Sequence, residues 1–297
     1  MHAKATRNLE LKTRNLIIMQ KRKLGKTGNK LSIIGFGGIV VKDVSPQDAD
    51  RIVGQAIDRG INYFDVAPTY GNAEDRLGPA LKPYRDDVFL ACKTTQRSAA
   101  GAEEELQQSL RNLQTDHFDL YQFHGVSSVD EVDQMLGKGG ALDTFLKARE
   151  DGLIRNIGFS AHSEDAALKL LESFEFDSVL FPINSVFWHK GNFGPRLVAK
   201  AQSQGIGILA LKAMARRPVR EGEEKRWNKC WYVPIESKDD ARAALSFTLA
   251  QGTTAAIPPG HQELLWRACD TVEAGLDPNP SQNAPAFDGE PLFRSKM

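Results

Sequence analysis

The sequence predicts an α/β protein built as one closed (β/α)8 barrel, on three observations. Short apolar strands, loops and amphipathic helices alternate through most of the chain, the pattern of a parallel sheet. About eight such units fit into 297 residues, which favours a closed barrel over a doubly wound sheet. No linker or shift in composition interrupts the rhythm, so one domain is expected.

The elements follow in order. Lys21–Leu24 and Lys30–Ile33 flank Gly25-Lys26-Thr27-Gly28-Asn29, the pattern of a β-hairpin. Ile33-Ile34-Gly35-Phe36-Gly37-Gly38 supplies the first buried strand. Ser45-Pro46 opens a helix with an N-cap and a first-turn proline. Ala49, Ile52, Val53, Ala56 and Ile57 keep helical spacing before Gly60 ends it. Further strands are expected at 62–66, 88–93, 118–124, 154–160, 178–183, 207–212 and 254–257. Helices are expected at 73–82, 101–113, 141–151, 163–173, 194–204, 238–251 and 261–273. Two segments break the alternation. Residues 126–140 are polar and weakly helical, and 216–237 form a long loop carrying Trp227, Trp231 and Tyr232. Loops of that length in a compact domain are usually functional or mobile. Residues 275–297, rich in Pro, Asn and Ser, are expected to lie extended on the surface. Residues 1–18 are basic and polar and are expected to be a flexible extension before Met19. The barrel then occupies 19–297.

Composition narrows the function. Hydrophobic residues make up 41% and charged residues 26%, enough for a sizeable core. Lys and Arg total 38, as do Asp and Glu. A zero net charge gives no pull towards nucleic acid or a membrane surface. The three cysteines, Cys92, Cys230 and Cys269, have neither metal spacing nor a disulfide framework. That fits a reducing compartment and a cytoplasmic location. No H-E-x-x-H or Cys/His cluster occurs, so no metal is expected.

The chemistry sits at strand ends. Asp65 closes the strand Asn62–Val66, and Tyr70 follows in the loop. Lys93 and His124 close the next two strands. The three strand-end residues are about thirty positions apart, one βα unit. In a barrel this places them side by side at the carboxyl-end rim, where active sites form. Alternation along Phe89-Leu90-Ala91-Cys92-Lys93 turns Lys93 inward if Cys92 faces the helices. Singly, each residue could be an ordinary hydrogen-bonding or solvated side chain; jointly they suit carbonyl reduction. Asp65 would hold Lys93, Lys93 would lower the pKa of Tyr70, and Tyr70 would protonate a developing alkoxide. His124 would orient the carbonyl. No side chain supplies a hydride, so a nicotinamide cofactor is required.

These residues resemble the aldo-keto reductase family. The resemblance rests on Arg22-Lys23-Leu24-Gly25 with Gly28, Gly35-Phe36-Gly37-Gly38, Gly60 to Asp65 and Tyr70-Gly71. It continues through Lys93, Asp119 to His124, Gly152-Leu153-Ile154-Arg155 and Ile157-Gly158-Phe159-Ser160. It implies a TIM barrel whose amino-terminal hairpin closes the bottom, and a catalytic tetrad of Asp65, Tyr70, Lys93 and His124. It also implies a small-molecule carbonyl substrate, a monomer, and NADP as cofactor, with NAD possible. Several cofactor positions depart from the family pattern. Ser160 carries over, but Ala161-His162 replaces the usual asparagine. Asn184 is the nearest polar substitute for the sixth-strand glutamine. Leu211-Lys212 replaces Tyr-Ser after the seventh strand, leaving Lys212 for the phosphates or carboxamide. His261 and Arg267 are the candidates for a 2′-phosphate. Trp188, Trp227, Trp231 and Tyr232 are candidates for an aromatic substrate pocket. The competing expectation is a weakly active or inactive nicotinamide-binding barrel acting as a sensor or partner module.

Overall fold

A computed structural model describes residues 19–280, 282 and 286–295; the expected extension 1–18 lies outside them. In chain order the strands are β1 (Lys21–Lys23), β2 (Lys30–Ser32), β3 (Phe36–Gly37), β4 (Tyr63–Asp65), β5 (Phe89–Thr94) and β6 (Phe118–Val126). There follow β7 (Ile154–Ala161), β8 (Ser178–Pro182), β9 (Gly207–Leu211), β10 (Ala215–Pro218), β11 (Tyr232–Pro234) and β12 (Ala255–Ile257). One eight-stranded sheet runs β12-β9-β8-β7-β6-β5-β4-β3, every neighbouring pair parallel. It closes through a bridge between Ile34 and Ala256, where Gly35 N donates to Ala256 O and Ala256 N to Ile33 O. The predicted barrel is therefore present.

Alternation along the strands sorts the core into two parts. Tyr63, Phe89, Ala91, Leu120, Leu180, Leu209 and Ala255 fill the interior. Phe64, Leu90, Cys92, Tyr121 and Phe159 face outward against the helices. The hairpin β1–β2 adds Leu24 and Leu31 to the inner cluster and so plugs the amino-terminal end. Arg22 fastens it by donating to Leu249 O at 2.6 Å and Thr253 O at 3.0 Å. Gly25 touches Gly207 so closely that a Cβ there would lie 2.4 Å from its backbone nitrogen.

The helices form where the sequence caps them. Ser45, Ser98, Ser163 and Ser237 each accept a hydrogen bond from the backbone of the first turn. Two irregular segments turn out to be ordered. Within 126–140, Ser128 caps a helix at Val129–Leu136. Within 216–237, β10 and β11 pair as an antiparallel hairpin at the carboxyl-end mouth. A helix at Ser185–Gly191 lies in a stretch with no sequence expectation. Among the described residues of the carboxyl-terminal tail, Glu290 N donates to Arg216 O, Ser295 N donates to Gly191 O, and Phe287 is buried. Among the described residues no helix is long and apolar enough to cross a membrane.

Candidate active site

A cleft of about 260 Å3 opens at the carboxyl ends of the strands. Asp65, Tyr70, Lys93 and His124 line one side of it, so the four residues expected from sequence do come together. β4, β5 and β6 are neighbours in the sheet, which fixes Asp65, Lys93 and His124 in adjacent strands. Lys93 is 1% exposed and Asp65 2%, and the ammonium pairs directly with Asp65 Oδ1. Lys93 also donates to Val66 O at 3.1 Å. The second carboxylate oxygen of Asp65 accepts from Gln122 Nε2 at 2.9 Å and from Tyr63 OH at 3.3 Å. Tyr63 and Gln122 each precede a strand-end site residue by two positions, so alternation alone places them inward. Sequence reasoning passed over both.

Burial works against the Lys93 ammonium, but Asp65 and Tyr70 more than offset it and raise its pKa. Lys93 Nζ lies 5.3 Å from the centre of the Tyr70 ring. The Lys93 charge does pull the Tyr70 phenol down, as expected, but it does not prevail. Burial raises it, and the Lys93 charge offsets only part of that rise, so Tyr70 titrates above its usual value. The His124 ring meets the Tyr70 ring edge-on at 5.9 Å. Burial, then the charges of Lys93, His162, Arg97 and Lys212, push His124 down to about 3. It is a neutral imidazole at pH 7. Arg97, itself paired with Glu131 at 2.8 Å, holds the His124 backbone by donating to its carbonyl.

The other wall carries the residues expected to meet a cofactor, with mixed placement. Ser160 lines the cleft and accepts from Gly125 N at 2.8 Å, which leaves its hydroxyl proton free to donate. Lys212 lines it too, at a left-handed φ of 64° that is rare outside glycine. Asn184 stays out of the cleft. It caps the helix Ser185–Gly191, and its amide donates to Lys212 O at 2.9 Å and Ala215 O at 3.2 Å. Its job is to hold the Lys212 turn, because all its polar atoms are taken by backbone. His261 accepts from Lys229 N through Nε2 at 3.1 Å and stands just beyond the lining residues Pro258–Gly260. Arg267 lies on the helix Gln262–Glu273, outside the lining of the cleft.

Of the aromatic candidates, Trp231 and Tyr232 line the cleft. Trp188 packs on Phe247 and Trp227 on His261, both away from it. Sequence reasoning missed His162 as a lining residue; its ring stacks on Phe293 of the tail at 5.2 Å. The β10–β11 hairpin crosses the mouth, and Lys229 on its connecting loop donates to Val40 O at 2.9 Å on the far side.

A buried lysine–carboxylate pair beside a tyrosine and a neutral histidine, all at one end of a cleft, can deliver a proton and orient a polar oxygen. Comparison with known proteins identifies the family. The sequence model of the aldo/keto reductase family matches residues 33–230. An uncharacterised oxidoreductase of Bacillus subtilis is 33% identical over 244 residues, covering 76% of this chain and 77% of that protein. The L-galactose dehydrogenase of Arabidopsis thaliana is 27% identical over 252 residues, covering 79% and 76%. The holo form of an aldo-keto reductase from Bacillus halodurans superposes with a TM-score of 0.69 at 25% identity, covering 87% of this chain and 92% of that one. With the barrel, the strand-end site and these relatives together, the chain is an oxidoreductase and belongs to the aldo/keto reductase family.

Proposed function

We propose that the protein reduces an aldehyde or ketone to an alcohol with a nicotinamide cofactor, NADP in the first instance, and that Tyr70 supplies the proton. The observation that carries this is the buried Lys93–Asp65 pair set against Tyr70, with neutral His124 alongside.

The cleft fits a nicotinamide. Ser160 presents a free hydroxyl proton for the carboxamide, and Leu211 offers an apolar face for the ring. Backbone at Pro258–Gly260, just before the helix Gln262–Glu273, suits the phosphates. Bound there, the nicotinamide supplies the hydride. The protein's own groups do the rest. His124, being neutral, donates one hydrogen bond to the carbonyl oxygen and fixes its direction. Tyr70 is held protonated by burial and gives its proton to that oxygen as negative charge develops. The Lys93 ammonium then stabilises the tyrosinate left behind, with Asp65 keeping it in place.

The test is to mix protein, NADPH and a panel of aldehydes and follow the cofactor absorbance. Turnover supports the proposal. Tight NADPH binding without turnover on any carbonyl would favour a nicotinamide-binding sensor instead.

A further inference from the structure

The half of the cleft facing the tetrad carries a cation that neither the fold nor the proton-transfer chemistry accounts for. Lys212 follows β9, and β9 is four strands from β5 in either direction around the closed sheet, so Lys212 stands diametrically opposite Lys93. Its backbone is held in the left-handed region by Asn184. Its ammonium sits over the rings of Trp231 at 5.2 Å and Tyr232 at 4.9 Å. No carboxylate pairs with it among the described residues, and the one carboxylate lining the cleft, Asp65, is taken by Lys93, Gln122 and Tyr63. A half-buried ammonium caged by two aromatic faces and lacking a counter-charge is a ready anion site.

We propose that Lys212 binds the acid group of the substrate, so that the preferred substrates are carbonyl compounds bearing a carboxylate. Two anions compete for that role, the substrate's acid and the cofactor's phosphates. Location favours the first. The Lys212 ammonium lies over the ring of Trp231, a lining residue that is 51% exposed and open to an incoming substrate. The Pro258–Gly260 end, where phosphates have a helix N-terminus, has its own lysine, Lys229, beside His261. A substrate spanning the mouth would place its carbonyl on Tyr70 and His124 and its carboxylate on Lys212.

The inference rests on the reductase reading, and binding measurements separate the two. Titration calorimetry compares 4-carboxybenzaldehyde with its methyl ester, on the full chain with NADPH present. The acid is expected to bind about 10- to 100-fold more tightly, the range of a charge-assisted hydrogen bond. Lys212→Met keeps a stem between the two rings and should abolish that preference while leaving NADPH affinity intact. Lys212→Arg should retain it. If neither aldehyde is reduced but the acid preference follows Lys212, the reductase reading falls and the acid site stands. Equal binding of acid and ester in the wild-type protein would overturn the site. So would a Lys212→Met protein that loses NADPH affinity with the acid-to-ester ratio unmoved.

Discussion

Lys93 occupies the barrel interior with an intact ammonium, and the carboxylate paired with it among the described residues is Asp65. Removing that carboxylate leaves an uncompensated buried charge. Asp65→Asn is expected to cost about 3–5 kcal/mol of stability, read by urea unfolding at pH 7, as well as activity. His124 gives a pH prediction. Its folded pKa of about 3 lies below the ordinary 6.5, so below pH 6.5 the unfolded chain takes up a proton that the folded chain refuses. The stability it permits is present above pH 6.5 and is lost progressively as pH falls towards 3. His124→Gln should therefore lose less stability than wild type between pH 7 and 4.5, by about 2–3 kcal/mol. The same neutrality predicts no inflection near 6.5 in the pH profile of kcat. Strand alternation and strand-end position made Asp65, Lys93 and His124 legible in the sequence. The same alternation exposes Gln122 and Tyr63 once His124 and Asp65 are set inward. Asn184 was not legible, because its role depends on the left-handed turn at Lys212, and a lysine does not announce such a φ. Nor was the net direction at Tyr70, which is a contest between a charge and burial, and burial exists only in the folded chain.

At the scale of elements, the β10–β11 hairpin stands out because residues 216–237 carry little strand signal. Its strands are short, and each ends in a proline, Pro218 and Pro234. Its order comes from contacts made elsewhere. Arg217 pairs with Glu223 at 2.7 Å, and Lys229 reaches across the cleft to Val40 O. That last bond pins the hairpin over the mouth. Lys229→Met is expected to speed NADPH release about 3- to 10-fold in stopped-flow fluorescence, with the unfolding midpoint unchanged. The helix Val129–Leu136 was more legible than it looked, since Ser128 with Asp130 and Glu131 is a helix-start pattern. The helix Ser185–Gly191 has seven residues, too few for a hydrophobic period to declare itself.

At the scale of the molecule, the barrel separates stability from chemistry. The hairpin β1–β2 seals the amino-terminal end, and the cleft lies at the other. Arg22→Met removes two hydrogen bonds at the sealed end. It should lower the Tm by a few degrees and leave kcat unchanged. The architecture was legible because eight βα units leave few ways to close a parallel sheet in a chain of this length. The family resemblance reinforced it, and the wall opposite the tetrad, where the sequence departs from that resemblance, takes its form only in the folded chain. The central claim is that the tetrad end of the cleft delivers a proton through Tyr70. Single-turnover reduction of an aldehyde by Tyr70→Phe, with NADPH affinity measured on the same sample, tests it most directly. NADPH affinity should be unchanged and the rate reduced about 100-fold or more; a rate equal to wild type with the cofactor bound would rule out Tyr70 as the proton donor.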